Sequence, residues 1–185
     1  PLTSEEGKRR VAIHLLERDY MTPETIAAGG DQGCDPHHRG SGPLRAGESI
    51  ILDIFPRSIR TRYWGDLTRT VVKGRAPDRL KRMYDAVLAA QAKALELIRD
   101  GGDGRAIHAE VCAVFAGLGF ETGSANGKPQ GFIRGTGHGV GLEIHEPPRI
   151  SKVGVPLRAG HVVTVEPGLY YPGVGAIRIE DLVVV

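Results

Sequence analysis

The sequence predicts an α+β domain in which two strand-rich ends enclose a helical middle. Three observations carry this. Residues 49–55 and 66–73 read as strands near the start, residues 77–99 and 107–118 repeat their apolar side chains at helical spacing, and from Gly131 onward short strands alternate with glycine turns. Strands, then helices, then strands again do not fit the regular alternation of a doubly wound parallel sheet.

Each element has its own signal. Residues 4–20 read as a helix with Ser4 as the cap and Val11, Leu15 and Leu16 on its apolar side. A turn-rich stretch follows over residues 29–47. The strands 49–55 and 66–73 are joined by a polar connection and predict a hairpin. Residues 77–99 give the longest helical signal, with Leu80, Met83, Val87, Leu88, Ala94, Leu95 and Ile98 on the apolar side. Gly119 is placed to end the helix 107–118. Residues 161–166 and 176–185 are the last strands.

Composition excludes several classes of function. A chain of 185 residues fits one core that hides roughly 70% of its unfolded surface. Lys and Arg number 24 against 22 Asp and Glu, and they are scattered, so neither a nucleic-acid nor a membrane partner is expected. No apolar run approaches transmembrane length, and the first twenty residues are too charged for a signal peptide. Cys34 and Cys112 stand far apart without metal-knuckle spacing, which suits reduced thiols in a cytoplasm. The chain starts at Pro1 and stops inside an apolar run, as expected of part of a longer protein.

The chemistry concentrates in the stretch from Arg134 to Pro148, RGTGHGVGLEIHEPP. A phosphate-cradling glycine loop needs a helix after it, which Pro147-Pro148 forbids. The helical zinc-protease motif fails too, because a second histidine would fall at position 149, which is Arg149. What remains is an extended segment whose bare backbone admits a close neighbour: a metal with its substrate, or another strand.

Acids elsewhere sharpen the choice. Asp53 interrupts the apolar run 50–55, Asp66 opens a strand, Glu166 closes the run 162–166, and Glu180 lies within residues 176–182. A carboxylate in an apolar strand is costly unless it is paired or binds a metal. Any one of them reads as a strand-end acid bonded to backbone; four, beside a glycine-framed His138, point to a metal site. Alternation along the last strand puts Arg178 and Glu180 on one face and Asp181 on the other.

Five blocks together, LDIF at 52–55, GDLTRT at 65–70, GTGHGVGLEIHEPP at 135–148, TVEPGLYY at 164–171 and AIRIED at 176–181, resemble the pita-bread metallopeptidases, the group of methionine aminopeptidase, aminopeptidase P and prolidase. The wording of the last three is closest to the Xaa-Pro branch. The resemblance implies a pseudo-two-fold, curved antiparallel sheet with helices on its outer face, carrying two divalent ions. Carried over, Asp53 chelates the first ion, Asp66 and Glu180 bridge both, and His138 and Glu166 bind the second. Glu166 also handles the proton of the attacking water, His145 sits at the rim as a donor to the substrate carbonyl, and His37 faces the substrate. Arg178 anchors either a substrate carboxylate or the acids around it. Oxygen-rich ligands with one imidazole suit manganese first, then cobalt, zinc or iron.

The implied activity is hydrolysis of an N-terminal Xaa-Pro bond, with a peptide carrying proline second as partner and a homodimer as a candidate assembly. A methionine-aminopeptidase-like activity and a non-catalytic binding module of the same fold are the alternatives. Residues 1–185 are then the catalytic domain, without the N-terminal domain usual in the Xaa-Pro branch or the catalytic domain's first helix. His14, His108 and His161 match no family site and read as surface residues. Asp53 and Asp66 stand 13 positions apart, two more than is usual in the family, so the mouth of the site is reshaped. Position 134, often histidine in the Xaa-Pro branch, is Arg134.

Overall fold

A computed structural model describes residues 2–185. It opens on helix α1 (Ser4–Leu16), followed by the short strand β1 (Tyr20–Met21) and by β2 (Thr25–Gly29). Thr3, not Ser4, caps α1: its side chain accepts from the Glu6 amide, a cap worth about 1 kcal/mol. The Ser4 hydroxyl is buried and donates instead to the Ala27 carbonyl. The helix stops four residues short of the expected end, at Leu16, because Asp19 turns left-handed and Tyr20–Met21 joins a strand.

Strands β3 (Ser49–Ile54) and β5 (Leu67–Val72) form the expected antiparallel hairpin, with β2 on the other edge of β3. Asp66 lies just before the β5 ladder. The long connection between them holds β4 (Arg57–Ser58), which pairs with β1, and Trp64, whose amide and indole N–H donate to Gly141 and Leu142 carbonyls.

Helices α2 (Asp78–Leu97) and α3 (Gly104–Gly117) pack on each other. The buried face of α2 is Leu80, Met83, Ala86, Val87, Ala90, Gln91 and Ala94, whereas Leu88 and Leu95, expected on that face, are about 40% exposed. Gly119 ends α3 at a positive φ of 77°, the conformation that glycine adopts without a Cβ penalty.

After a hairpin, β6 (Gly123–Ala125) and β7 (Lys128–Gln130), the chain lays down β8 (Gly137–Gly139), β9 (Glu146–Ile150), β10 (Val162–Val165), β11 (Gly168–Tyr171), β12 (Gly175–Arg178) and β13 (Asp181–Val184). The order β13-β10-β8-β9 makes a four-stranded sheet, and β11-β12 is a separate ladder. The single strand expected over residues 176–185 is thus two. Arg178 ends its ladder opposite Gly168, Asp181 begins the next opposite Val165, and between them the Glu180 amide donates to the Thr68 carbonyl of β5. The chain breaks step there because it changes partners.

Alternation divides the two faces. Val163, Val165, Leu169, Ile177 and Ile179 join Met83, Val87, Val111 and Phe115 in the main core beneath the helices. Thr164, Arg178 and Glu180 point the other way, away from that apolar layer. Among the described residues no helix is long and apolar enough to cross a membrane.

Candidate metal centre

Strand ends from both halves of the chain meet at one cavity of about 500 Å³, lined by Asp53, Asp66, His138, Glu166, Arg178 and Glu180, with His37, Trp64, Arg134 and His145 around them. A larger hollow of about 640 Å³ lies beside α2 and holds Arg79, Arg82 and Asp85 but no histidine. The chemistry puts the site in the first.

Asp66, His138 and Glu180 are buried, and each offers a ligand atom within 4.8 Å of the others. Glu166 joins them through His138, whose Nε2 lies 3.3 Å from Glu166 Oε1 and 3.7 Å from Asp66 Oδ2. The His138 Nδ1 is 3.0 Å from the Gly139 carbonyl. A carbonyl can only accept, so Nδ1 carries the hydrogen and a neutral ring turns its Nε2 lone pair toward the acids. Lone pair against carboxylate is unfavourable unless a proton or a cation stands between. Metal-ligating histidines are oriented in this way, through the opposite ring nitrogen.

Asp53 stands outside that tight group. Its Oδ2 accepts from Arg178 Nη2 at 2.5 Å, while its buried Oδ1 has no partner among the described residues. Arg178 is spent on the protein: it also donates to the Tyr170 hydroxyl at 3.0 Å and to Thr68 Oγ1 at 3.3 Å, and it is 4% exposed. Of the two arrangements expected for Arg178, the structure contains the contact with the surrounding acids. Thr68 passes the link on, donating to Glu180 Oε2 at 2.6 Å. Asp181 faces away, as expected, bonding Arg69 and Gln91.

The electrostatics ask for positive charge. Burial, then Asp53 and Glu166, push the Asp66 carboxyl up to about 8. Glu180 is raised by burial and by Glu166, Asp66 and Asp53, and Glu166 is raised by burial first. His138 and His145 are lowered chiefly by burial. For Arg178, burial opposes the charge, but Tyr170, Asp53 and Glu166 outweigh it and hold the guanidinium above its ordinary range. One arginine among four crowded carboxylates, an orphaned Asp53 oxygen and a lone pair aimed at acids fit divalent cations.

A carboxyl whose folded pKa is raised holds its proton more tightly folded than unfolded. Stability is therefore lost as pH rises from about 3.9 through the folded value of about 8. Metal-stripped protein should melt several degrees lower at pH 9 than at pH 6, and divalent cations should remove most of that gap. Thermal melts at both pH values check this; an equal or higher midpoint at pH 9 would contradict it.

Of the two close neighbours expected for the glycines, the structure places another strand over Gly137 and over Gly139. A Cβ on Gly137 would overlap the Thr164 carbonyl of β10, and one on Gly139 would overlap the Pro147 carbonyl of β9. They let β8 sit close between its neighbours and so hold His138 in place. His145 is exposed at the rim, its ring edge-on to His138 with centroids 4.4 Å apart. His37 is exposed across the cavity, and its Nε2 accepts from Arg134 Nη1 at 2.7 Å. His108 is not at the surface: it is 4% exposed, bonded to Thr136 and 3.6 Å from the Cys112 sulfur.

Sequence reasoning missed Thr68, Tyr170 and Trp64. Thr68 had a readable signal, since it shares the alternating face of Asp66; Trp64 acts through a contact 78 positions away, and Tyr170 through Arg178 across the β11–β12 ladder.

A model of Metallopeptidase family M24 matches residues 4–185. The Xaa-Pro dipeptidase of Pyrococcus horikoshii is 34% identical over 164 residues, which are 88% of this chain and 44% of that protein. The solved prolidase from Pyrococcus furiosus superposes with a TM-score of 0.88 at 31% identity, covering 100% of this chain and 53% of that one. The X-Pro aminopeptidase from Thermotoga maritima gives 0.86 at 30%, covering 100% and 51%. The chain spans about half the length of the relatives it matches. The α+β pita-bread fold expected from the sequence is borne out by these superpositions.

Proposed function

Because the chain belongs to Metallopeptidase family M24, we propose that residues 4–185 form the catalytic domain of a two-metal exopeptidase that cleaves an N-terminal Xaa-Pro bond. The single observation that carries the reading is the convergence of Asp66, His138 and Glu180 on one buried point, with Glu166 against His138. Asp66 and Glu180 would bridge two ions, Asp53 would serve the first, and His138 and Glu166 the second. Divalent ions held there supply a Lewis acid and lower the pKa of a water.

The chain's own residues do the rest. Glu166 lines the cavity with its Oε1 3.3 Å from His138 Nε2, placed to take a proton from the attacking water and pass it to the leaving proline nitrogen. His145, at the cavity rim, donates to the carbonyl oxygen as it gains charge. Arg178 and Thr68 hold Asp53 and Glu180 in position. Relatives named Xaa-Pro dipeptidase and X-Pro aminopeptidase support proline in the second position.

The test is metal analysis of stripped and reloaded chain coupled to cleavage assays. Two ions per chain and release of the first residue from Xaa-Pro peptides are expected, with manganese the first metal to try. Cleavage of methionyl peptides lacking proline, or of no peptide at all with both ions bound, would move the reading to a methionine-aminopeptidase-like enzyme or to a binding module.

A further inference from the structure

Three arginines border the cavity, and only one has charge to spare. Arg178 is buried and committed to Asp53, Tyr170 and Thr68. Arg39 is ion-paired with Glu24, which also lines the cavity. Arg134 is exposed, and among the described residues its hydrogen bond goes to His37, a neutral acceptor at Nε2. An arginine can only donate, so His37 orients the guanidinium without cancelling its charge. One of its five N–H groups is used, and the remaining edge is free for a planar anion. Arg134 lines the same cavity as Glu166, His138 and His145.

We propose that Arg134, steadied by His37, receives the free carboxylate of the proline residue in a dipeptide substrate and makes the site select a terminal carboxylate over an amide or a longer chain. The proposal rests on the Xaa-Pro reading above. A carboxylate and a guanidinium meet through two parallel charge-assisted hydrogen bonds, whereas an amide in the same place offers a single neutral acceptor. Arg178 is not available for the role, because accepting a substrate carboxylate would strip the buried Asp53 of its partner.

Two measurements on the metal-loaded chain test this. Calorimetric titration should show L-proline binding at least about tenfold tighter than L-prolinamide, the scale of a hydrogen bond between charged groups. That ratio should collapse in Arg134→Gln and partly return in Arg134→Lys. In kinetics, the kcat/KM preference for alanyl-proline over alanyl-prolinamide should fall by a similar factor in Arg134→Gln, mainly through KM. Equal binding of proline and prolinamide to the unsubstituted chain, no detectable binding of proline, or an unchanged ratio in Arg134→Gln would overturn the assignment. If the loaded chain cleaves no Xaa-Pro peptide yet still loses its preference for proline in Arg134→Gln, the Xaa-Pro reading fails and the carboxylate site stands.

Discussion

Exchanging Asp66 for asparagine, or Glu180 for glutamine, is expected to lower metal affinity by at least about 100-fold and to abolish peptide cleavage. Groups one bond removed from a metal ligand already change affinity by roughly 10–100-fold, and these two carboxylates sit at the centre of the cluster with His138. If both bridge, either substitution disturbs both ions, whereas Asp53→Asn chiefly weakens one. A second effect has the opposite sign. In the stripped protein Asp66 is a buried acid crowded by Asp53 and Glu166, so Asp66→Asn should raise the melting temperature at pH 9 and flatten its pH dependence. Metal analysis and thermal melts on the same samples check both. An Asp66→Asn chain that retains two ions would end the bridging assignment.

His145→Ala should behave otherwise. The ring is exposed at the cavity rim, edge-on to His138 and apart from the buried ligand group. Its role is to donate toward the substrate carbonyl oxygen, and loss of such a donor costs about 100-fold or more in kcat. Metal content should stay near that of the unsubstituted chain. Parallel loss of metal and turnover would show that His145 supports the metal instead. Together the two sets of variants separate what holds the ions from what acts on the substrate.

Much of the site was legible because strands constrain their residues tightly. An acid in an apolar run has few inexpensive explanations: Asp53 lies within β3, Asp66 and Glu166 lie just beyond strand ends, Glu180 lies between β12 and β13, and all four line the cavity. Alternation put Asp181 away from the site, although the strand breaks at Ile179–Glu180, because Thr68 bonds both Arg178 and Glu180 and keeps them on one side. The ends of α1 and the exposure of Leu88 and Leu95 were not legible. Periodicity gives a helix its apolar stripe, but which part is covered depends on what packs there.

The sequence by itself determined the class of fold, the identity of the acids and imidazoles, and the segments that carry them, since local period and the cost of burying charge act on each segment alone. Tertiary structure decided how their partners are shared out. It gave Arg178 to Asp53 and left Arg134 to His37, residues separated by 125 and 97 positions. It also filled the space over Gly137 and Gly139 with neighbouring strands instead of substrate. A guanidinium's partner depends on which carboxylate the folded chain brings within about 3 Å and which it leaves to solvent. No spacing along the chain encodes that distance.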